Sequence, residues 1–330
     1  MSKIRTSHEM QNGLGLIELM IAVALGAIIM LGVTEIATQN SLTRNELEQF
    51  GRQLETATYA MRVIETDVTN SAFWGERGEF GPSGTMPEIC ADTRDELENT
   101  MGYPIQGGQV ALTDDGIDCV GMPGDKLKPK PDTDFIAIRR ASSCAIDPAA
   151  GCPTAGNFHM QVHACFDPDS FLVPGDSYLI SDNIADLTHL QRDCVNLAPQ
   201  YRFLNHIYYV SDEDTLVRVE LIGNKYVKDE LVEDVEFLRF EYGLDTDGDG
   251  QVDDYASNVS DPKDPLWAEV VMVRMAMIVR NHKPSPEVFD DRTYSVAGQT
   301  YTAASEQGHR RQLYSRTIST RNIAGRREGP

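Results

Sequence analysis

Three patterns of apolar and polar residues organise this chain. From Leu14 to Val33 apolar residues run almost without interruption. No proline occurs between Leu14 and Asn70, and beyond Asn40 the apolar positions become periodic. Leu47, Phe50, Leu54, Ala57, Met61, Ile64 and Val68 follow alternating steps of three and four. That spacing predicts one long helix, apolar all round in its first half and striped on a single face in its second. Arg44, Glu48, Gln53, Glu55 and Arg62 fill much of the polar side. Gly51 weakens the helix by about 1 kcal/mol relative to alanine. Only three heptads are present, few for a coiled-coil seam, so the stripe is expected to pack on a sheet.

The third pattern is alternation. Phe135–Arg139 and Ser177–Ile180 are short strand candidates, and 206–210 with 215–221 flank Asp212-Glu213-Asp214 as a hairpin. Val235–Tyr242 alternates, with Leu238, Phe240 and Tyr242 on one face. Trp267–Arg280, rich in valine and methionine, is long enough to be a central strand, and Arg311–Arg321 closes the set. Residues 75–133 and 141–175 are rich in proline, glycine and aspartate and read as loops.

The apolar run is of membrane length, since twenty helical residues span roughly 30 Å. Glu18 lies inside it, and a carboxylate there costs about 2.5–3.5 kcal/mol, which marks a functional position. Lys3 and Arg5 precede the run and keep the N-terminus cytoplasmic, so the chain beyond Val33 is expected to be exported. A cleaved secretory signal fits poorly: the run is too long, carries an acid and ends in Thr34-Glu35-Ile36 without a small-residue cleavage site. A plain signal anchor explains everything except Glu18.

Composition agrees with export. The net charge is −22, from 29 basic and 51 acidic residues, which argues against nucleic acid as a partner of the bulk surface. The tail is the exception: Arg310, Arg311, Arg316, Arg321, Arg326 and Arg327 face only Glu328, a run that reads as a solvated strand face or as a contact for an acidic partner. Cys90, Cys119, Cys144, Cys152, Cys165 and Cys194 are even in number, lie beyond the apolar run and form no C-x-x-C. Disulfides in an oxidising compartment are expected. Six cysteines allow 15 pairings and the sequence does not choose among them; sequential pairing (Cys90–Cys119, Cys144–Cys152, Cys165–Cys194) is the working expectation.

Candidate chemistry centres on Asp245-Thr246-Asp247-Gly248-Asp249-Gly250-Gln251-Val252-Asp253. Alternate carboxylates converge when the chain turns at glycine, and hard oxygen ligands at that spacing suit Ca²⁺. Asp245, Asp247 and Asp249 would bind by side chain, Gln251 by its carbonyl, and Asp253 directly or through water. A twelve-residue EF-hand loop would end in glutamate, and here Ala256 stands there, so a shortened loop is expected. The competing reading is a metal-free Asp-Gly turn. Hydrolase, Walker, zinc-protease and dinucleotide motifs are missing from the sequence, so an enzyme is not expected. His159 and His163 share a strand face without an evident third ligand and read as ordinary histidines.

Gly13-Leu14-Gly15-Leu16-Ile17-Glu18-Leu19-Met20 resembles the class III signal of type IV prepilins and pseudopilins. The resemblance implies cleavage between Gly13 and Leu14 by the prepilin peptidase, methylation of the new amine at Leu14, and an assembly role for Glu18. Leu14 replaces the usual phenylalanine, and Gly15 the usual threonine or serine. When the apolar helices leave the bilayer and pack together, Glu18 would be stranded unless a neighbour's Leu14 amine met it; such a buried pair fixes register because losing one partner strands the other.

Asn70-Ser71-Ala72-Phe73-Trp74-Gly75 resembles the helix exit of PilW-type minor pilins, and Ser177–Asp182, Leu231–Glu236, Tyr242–Asp245 and Val270–Arg280 resemble later blocks of that family. The fold implied is α+β and pilin-like: a long N-terminal helix, its first half transmembrane, packed on an antiparallel β-sheet with a disulfide-stapled loop region. The organisation expected is a leader over 1–13, a membrane or filament-core half over 14–33, an amphipathic half over 34–72 and a globular domain over 73–330. Within that domain 75–200 holds the cysteines and 201–330 the main sheet with the 245–253 loop.

The function implied is a minor pilin that primes type IV pilus assembly at or near the tip and supports twitching motility or adhesion. Its partners would be other minor pilins, the major pilin, the assembly platform and a tip adhesin. The chain would span the inner membrane once with its head in the periplasm, and be extracellular once in a pilus. Two other readings stay open: a minor pseudopilin of type II secretion, and a signal-anchored calcium-binding periplasmic module.

Overall fold

A computed structural model describes residues 15–76, 80–82, 85–109, 116–146, 152, 157–165, 177–256, 263–284, 290–296, 298–302 and 308–327. The chain forms two compact units, Met1–Gly51 and Arg52–Pro330. Helix α1 (Leu16–Thr69) contributes to both, and its apolar first part is long enough to cross a membrane. In the first unit the apolar side chains from Leu16 to Ile36 are exposed. The hydroxyls of Thr34 and Thr38 donate to helix carbonyls, Thr34 to Met30 at 2.8 Å, so neither hydroxyl needs water as an acceptor.

The second unit is built on antiparallel sheets. Its elements are α2 (Arg94–Asn99), β1 (Ile105–Gln109), β2 (Ile117–Asp118), β3 (Lys126–Leu127), β4 (Asp134–Ala145), β5 (His159–Val162) and β6 (Tyr178–Ser181). Then come β7 (Gln200–Val210), β8 (Leu216–Ile222), β9 (Lys225–Val232), β10 (Val235–Leu244), β11 (Asp254–Ala256), β12 (Val270–Arg280), β13 (Thr293–Val296), β14 (Gln299–Thr302), β15 (Arg311–Ser319) and α3 (Arg321–Arg327). In place of the expected single sheet, the described residues form two large ones, a seven-stranded sheet ordered β1-β4-β7-β5-β6 with β8 and β9 branching from β7 and a four-stranded sheet ordered β11-β10-β12-β15, beside two-stranded pairs β2-β3 and β13-β14. The long β7 makes the branch possible, because Gln200–Arg202 pairs with β5 and His206–Val210 with β8. The expected strands at 135–139 and 177–180 are found as β4 and β6, whereas segments read as loops over 75–133 and 141–175 supply α2, β1 to β3 and β5, which are too short to show alternation in sequence.

Each face of the seven-stranded sheet buries a core. Side chains alternate along β4, so Phe135 and Ala137 enter one core, with Trp74, Phe203 and Ile207, while Ile136 and Ile138 enter the other. The second core joins that sheet, α1 and the four-stranded sheet through Ile64, Val68, Leu238, Phe240, Tyr242, Trp267 and Met275. Two successive arginines obey the same alternation. Arg139 is wholly buried on the first face, where Nη1 donates to Tyr103 O at 2.9 Å and Nη2 to Glu88 O at 3.1 Å. Arg140 points to the second face and meets α1.

The amphipathic stripe is covered only in part. Ala57, Met61, Ile64 and Val68 are core residues, but Leu47, Phe50 and Leu54 are 66%, 53% and 46% exposed. Periodicity reports which side of a helix is apolar, not where its cover begins, and burial in the second unit starts at Gln53. The helix exit is fixed by packing: Trp74 stacks on Phe203 with centroids 5.7 Å apart. Gly75 has φ +94°, and a Cβ there would lie 3.1 Å from the Tyr201 ring, so both backbone and space require glycine. Three disulfides join Cys90 to Cys119, Cys144 to Cys152 and Cys165 to Cys194.

Candidate functional site

The expected cleavage pair, Gly13 and Leu14, lies outside the described residues. Glu18 sits in the first turn of α1, where its N–H donates to Gly15 O at 3.0 Å and its side chain is exposed among apolar neighbours. The local cause is simple: no proline occurs before Pro82, so nothing breaks the helix that begins at Leu16, and the acid is carried on its first turn.

The aspartate loop leaves β10 and returns as β11. Asp245 is fully buried and accepts four donors: Gly248 N at 2.8 Å and Asp249 N at 3.1 Å on Oδ1, Gly250 N at 3.0 Å and Arg327 Nη1 at 3.1 Å on Oδ2. Gly248 and Gly250 have φ of +83° and +86°, the left-handed backbone that lets successive N–H groups point inward. Asp253 Oδ2 accepts from Thr246 N and Oγ1, both at 2.8 Å. Burial alone would raise the Asp245 carboxyl, but Arg327 and the loop amides outweigh it and hold it below the usual range. Bonds from Thr246 likewise lower Asp253.

Of the five expected ligands, the structure brings together Asp245, Asp247 and Asp253, whose oxygens lie within 4.8 Å of one another. Asp249 stands apart from that group: its Oδ1 accepts from Gln251 N at 2.8 Å and its Oδ2 from Gln251 Nε2 at 3.0 Å. The donor set of three hard oxygens suits Ca²⁺ or Mg²⁺.

The basic tail departs from the solvated face expected of it. Arg311 is buried against Glu236, Arg316 pairs with Glu65 at 3.1 Å, and Arg327 bridges Asp245 and Glu269. Sequence charge counting misses this because the matching acids lie some 60 to 250 positions away. His159 is buried in β5, and burial lowers its value, whereas His163 packs edge-on against His189 with centroids 4.9 Å apart.

Sequence reasoning also misses a buried acid that ties the helix to the sheet. Asp67, on the buried side of α1, accepts from Arg140 Nη2 at 2.8 Å and from Tyr208 Oη at 2.5 Å, and its Oδ2 lies 2.5 Å from His206 Nδ1. One signal is available: Asp67 falls three residues after Ile64, in phase with the apolar stripe, where an acid requires buried partners.

The chain thus carries one acid in the first turn of an apolar helix and an antiparallel head braced by three disulfides. A profile of the prokaryotic N-terminal methylation motif matches residues 10–34, and a profile of PilW, Type IV Pilus-assembly protein W, matches residues 207–322. Through these two segments the chain resembles PilW-type minor pilins of the type IV family, which are structural and non-enzymatic, and its long apolar N-terminal helix fits a membrane-anchored pilin. Among solved structures, the Type IV-like pilin TTHA1219 from Thermus thermophilus aligns over 82% of this chain and 98% of its own, with 9% identity and a TM-score of 0.38. The search of curated proteins returned no match.

Proposed function

We propose that this chain is a minor pilin that primes type IV pilus assembly and is incorporated at or near the tip. The observation that carries the reading is the pairing of a methylation-motif N-terminus at 10–34 with a PilW-type head at 207–322 on one chain. The peptidase would cut between Gly13 and Leu14, and Glu18 would receive the freed amine of a neighbouring subunit during assembly. Lys3 and Arg5 ahead of the helix support a cytoplasmic N-terminus and a periplasmic head before assembly. Its partners would be other minor pilins, the major pilin, the assembly platform and a tip adhesin. Deletion of the gene is the test: loss of surface pili and twitching supports the reading, whereas loss of protein secretion with pili intact would assign it to a type II secretion pseudopilus. An intact Met1 on protein purified from membranes would exclude both filament roles.

A second reading concerns the aspartate loop. The convergence of Asp245, Asp247 and Asp253 supports a Ca²⁺ site that orders the connection between β10 and β12, with Asp249 and Gln251 joining only if they turn inward. Its affinity would be modest, on the order of 10⁻⁴–10⁻³ M as in extracellular modules. Calorimetric titration of the detergent-solubilised chain decides it: heat at millimolar Ca²⁺ is expected, and no heat removes the claim.

A further inference from the structure

The docked end of α1 is fastened to the seven-stranded sheet by charge as well as by apolar packing. His206 lies between two carboxylates, with Nδ1 2.5 Å from Asp67 Oδ2 and Nε2 3.5 Å from Glu220 Oε1. Asp67 already accepts from Arg140 and Tyr208, and Glu220 pairs with Arg202. Both carboxylates therefore face cations and act as acceptors only. A neutral imidazole has one donor nitrogen, so it would turn a lone pair toward one of the two oxygens. Nε2 makes no hydrogen bond but stands at ion-pair distance from Glu220, so only the imidazolium is attracted to both carboxylates.

We propose that protonated His206 is a pH-sensitive lock that holds the last turns of α1 on the head, and that the lock loosens as the pH rises. Every element around it contributes a charged or titratable group: Asp67 from α1, Arg140 from β4, Arg202 and Tyr208 from β7, Arg218 and Glu220 from β8. Asp229 from β9 stands one pair further out, bonded to Arg218 at 2.9 Å. Burial disfavours the charged ring, but the two carboxylates outweigh it and raise the His206 value, while Asp67 and Glu220 are held low and stay ionised. Linkage gives the sign. A raised folded value means the contribution is complete below the ordinary histidine value of about 6.5 and is lost as pH climbs through the folded value. Arg140 remains on Asp67 at all these pH values, so the junction weakens and does not fall apart.

The lock has a residue-specific test in the full chain in detergent. Hydrogen exchange at the imidazole C2 position, tracked by mass spectrometry on the peptide that carries His206, should give a midpoint above that of an ordinary histidine. A midpoint at or below the ordinary value would overturn the proposal. Backbone amide exchange then reads the consequence. Protection of residues 57–69, corrected for intrinsic rates and referred to β12, should fall severalfold between pH 6 and pH 9, the direction that a raised folded value dictates. The same segment in His206→Gln should show no such fall. A pH-independent wild type, or a parallel fall in the variant, would overturn the proposal. If the variant does not fold, the C2 midpoint of the wild-type chain decides alone.

Discussion

Replacing Arg311 with methionine tests how the basic tail is used. Arg311 begins the edge strand β15, is wholly buried, and donates through Nε and Nη2 to the two oxygens of Glu236. Glu236 reaches it because β10 has a register shift between Val235 and Phe237, a bulge that re-aims the side chain. Burial would raise the Glu236 carboxyl, but Arg311 first and then Tyr301 and Lys130 outweigh it and hold it low. Arg311→Met keeps most of the stem and removes the charge, leaving a buried carboxylate without its main partner.

The stranded glutamate has one escape, which is to take up a proton. From an ordinary value of about 4.3, this costs about 3.7 kcal/mol at pH 7 and about 1 kcal/mol at pH 5. These figures bound the loss and agree with the roughly 3–5 kcal/mol typical of a broken buried pair. Arg311→Met is therefore expected to lose about 3–4 kcal/mol at pH 7 and markedly less at pH 5. Arg311→Met with Glu236→Met should recover to within about 1–2 kcal/mol of wild type, since two apolar groups strand nothing. Urea unfolding of the detergent-solubilised chain can be monitored by the two tryptophans, Trp74 and Trp267, both buried in the head. A loss that does not vary with pH, or a double variant as unstable as the single, would refute the argument.

Other contacts carry expectations of their own. Ile64→Ala empties a fully buried position between α1 and the sheets and should cost about 2–5 kcal/mol, whereas Leu54→Ala, half exposed, should change stability by less than about 0.5 kcal/mol; paired urea midpoints compare them. Asp290 accepts from Arg292 and Tyr294, which outweigh its burial and lower it to about 2. Its contribution is complete above the ordinary value near 3.8 and is lost as pH falls toward 2, about 1–2 kcal/mol once the exposure of Arg292 is discounted, and acid unfolding of Asp290→Asn should lack that step. Removing the Cys90–Cys119 bridge as a double alanine variant opens a loop of 29 residues and should cost about 2–4 kcal/mol, read as a fall in thermal midpoint under non-reducing conditions.

Much of the fold could be read from periodicity because its signals are local. The Ala57-Met61-Ile64-Val68 spacing predicts a buried helix face, and the run Trp267–Arg280 predicts a central strand, which is found over Val270–Arg280; both contribute to the second core. The split into two sheets is not local. It depends on β7 being long enough to serve β5 with one end and β8 with the other, and no single segment announces that. Leu54, within the head's own unit, shows the converse limit: its phase matches the buried face, yet it is half exposed.

The candidate sites divide along the same line. Glu18 and the aspartate loop stand out because carboxylates break an apolar run in one case and crowd nine residues in the other. The acids that hold the head together are quieter. Asp67, Glu236 and Asp134 each have another acid two positions before them, and their partners Arg140, Arg311 and Arg239 lie 73, 75 and 105 positions away. An acid in phase with buried neighbours is thus the useful sign: desolvation requires a cation, so its presence predicts a distant arginine or histidine even when sequence cannot say which. By that rule the net charge of −22 overstates the free acidity of the head, because several of its carboxylates are neutralised from within. What remains for a partner to read is the exposed apolar side of α1 and the acids left on the surface, which is where contacts within a fibre would have to form.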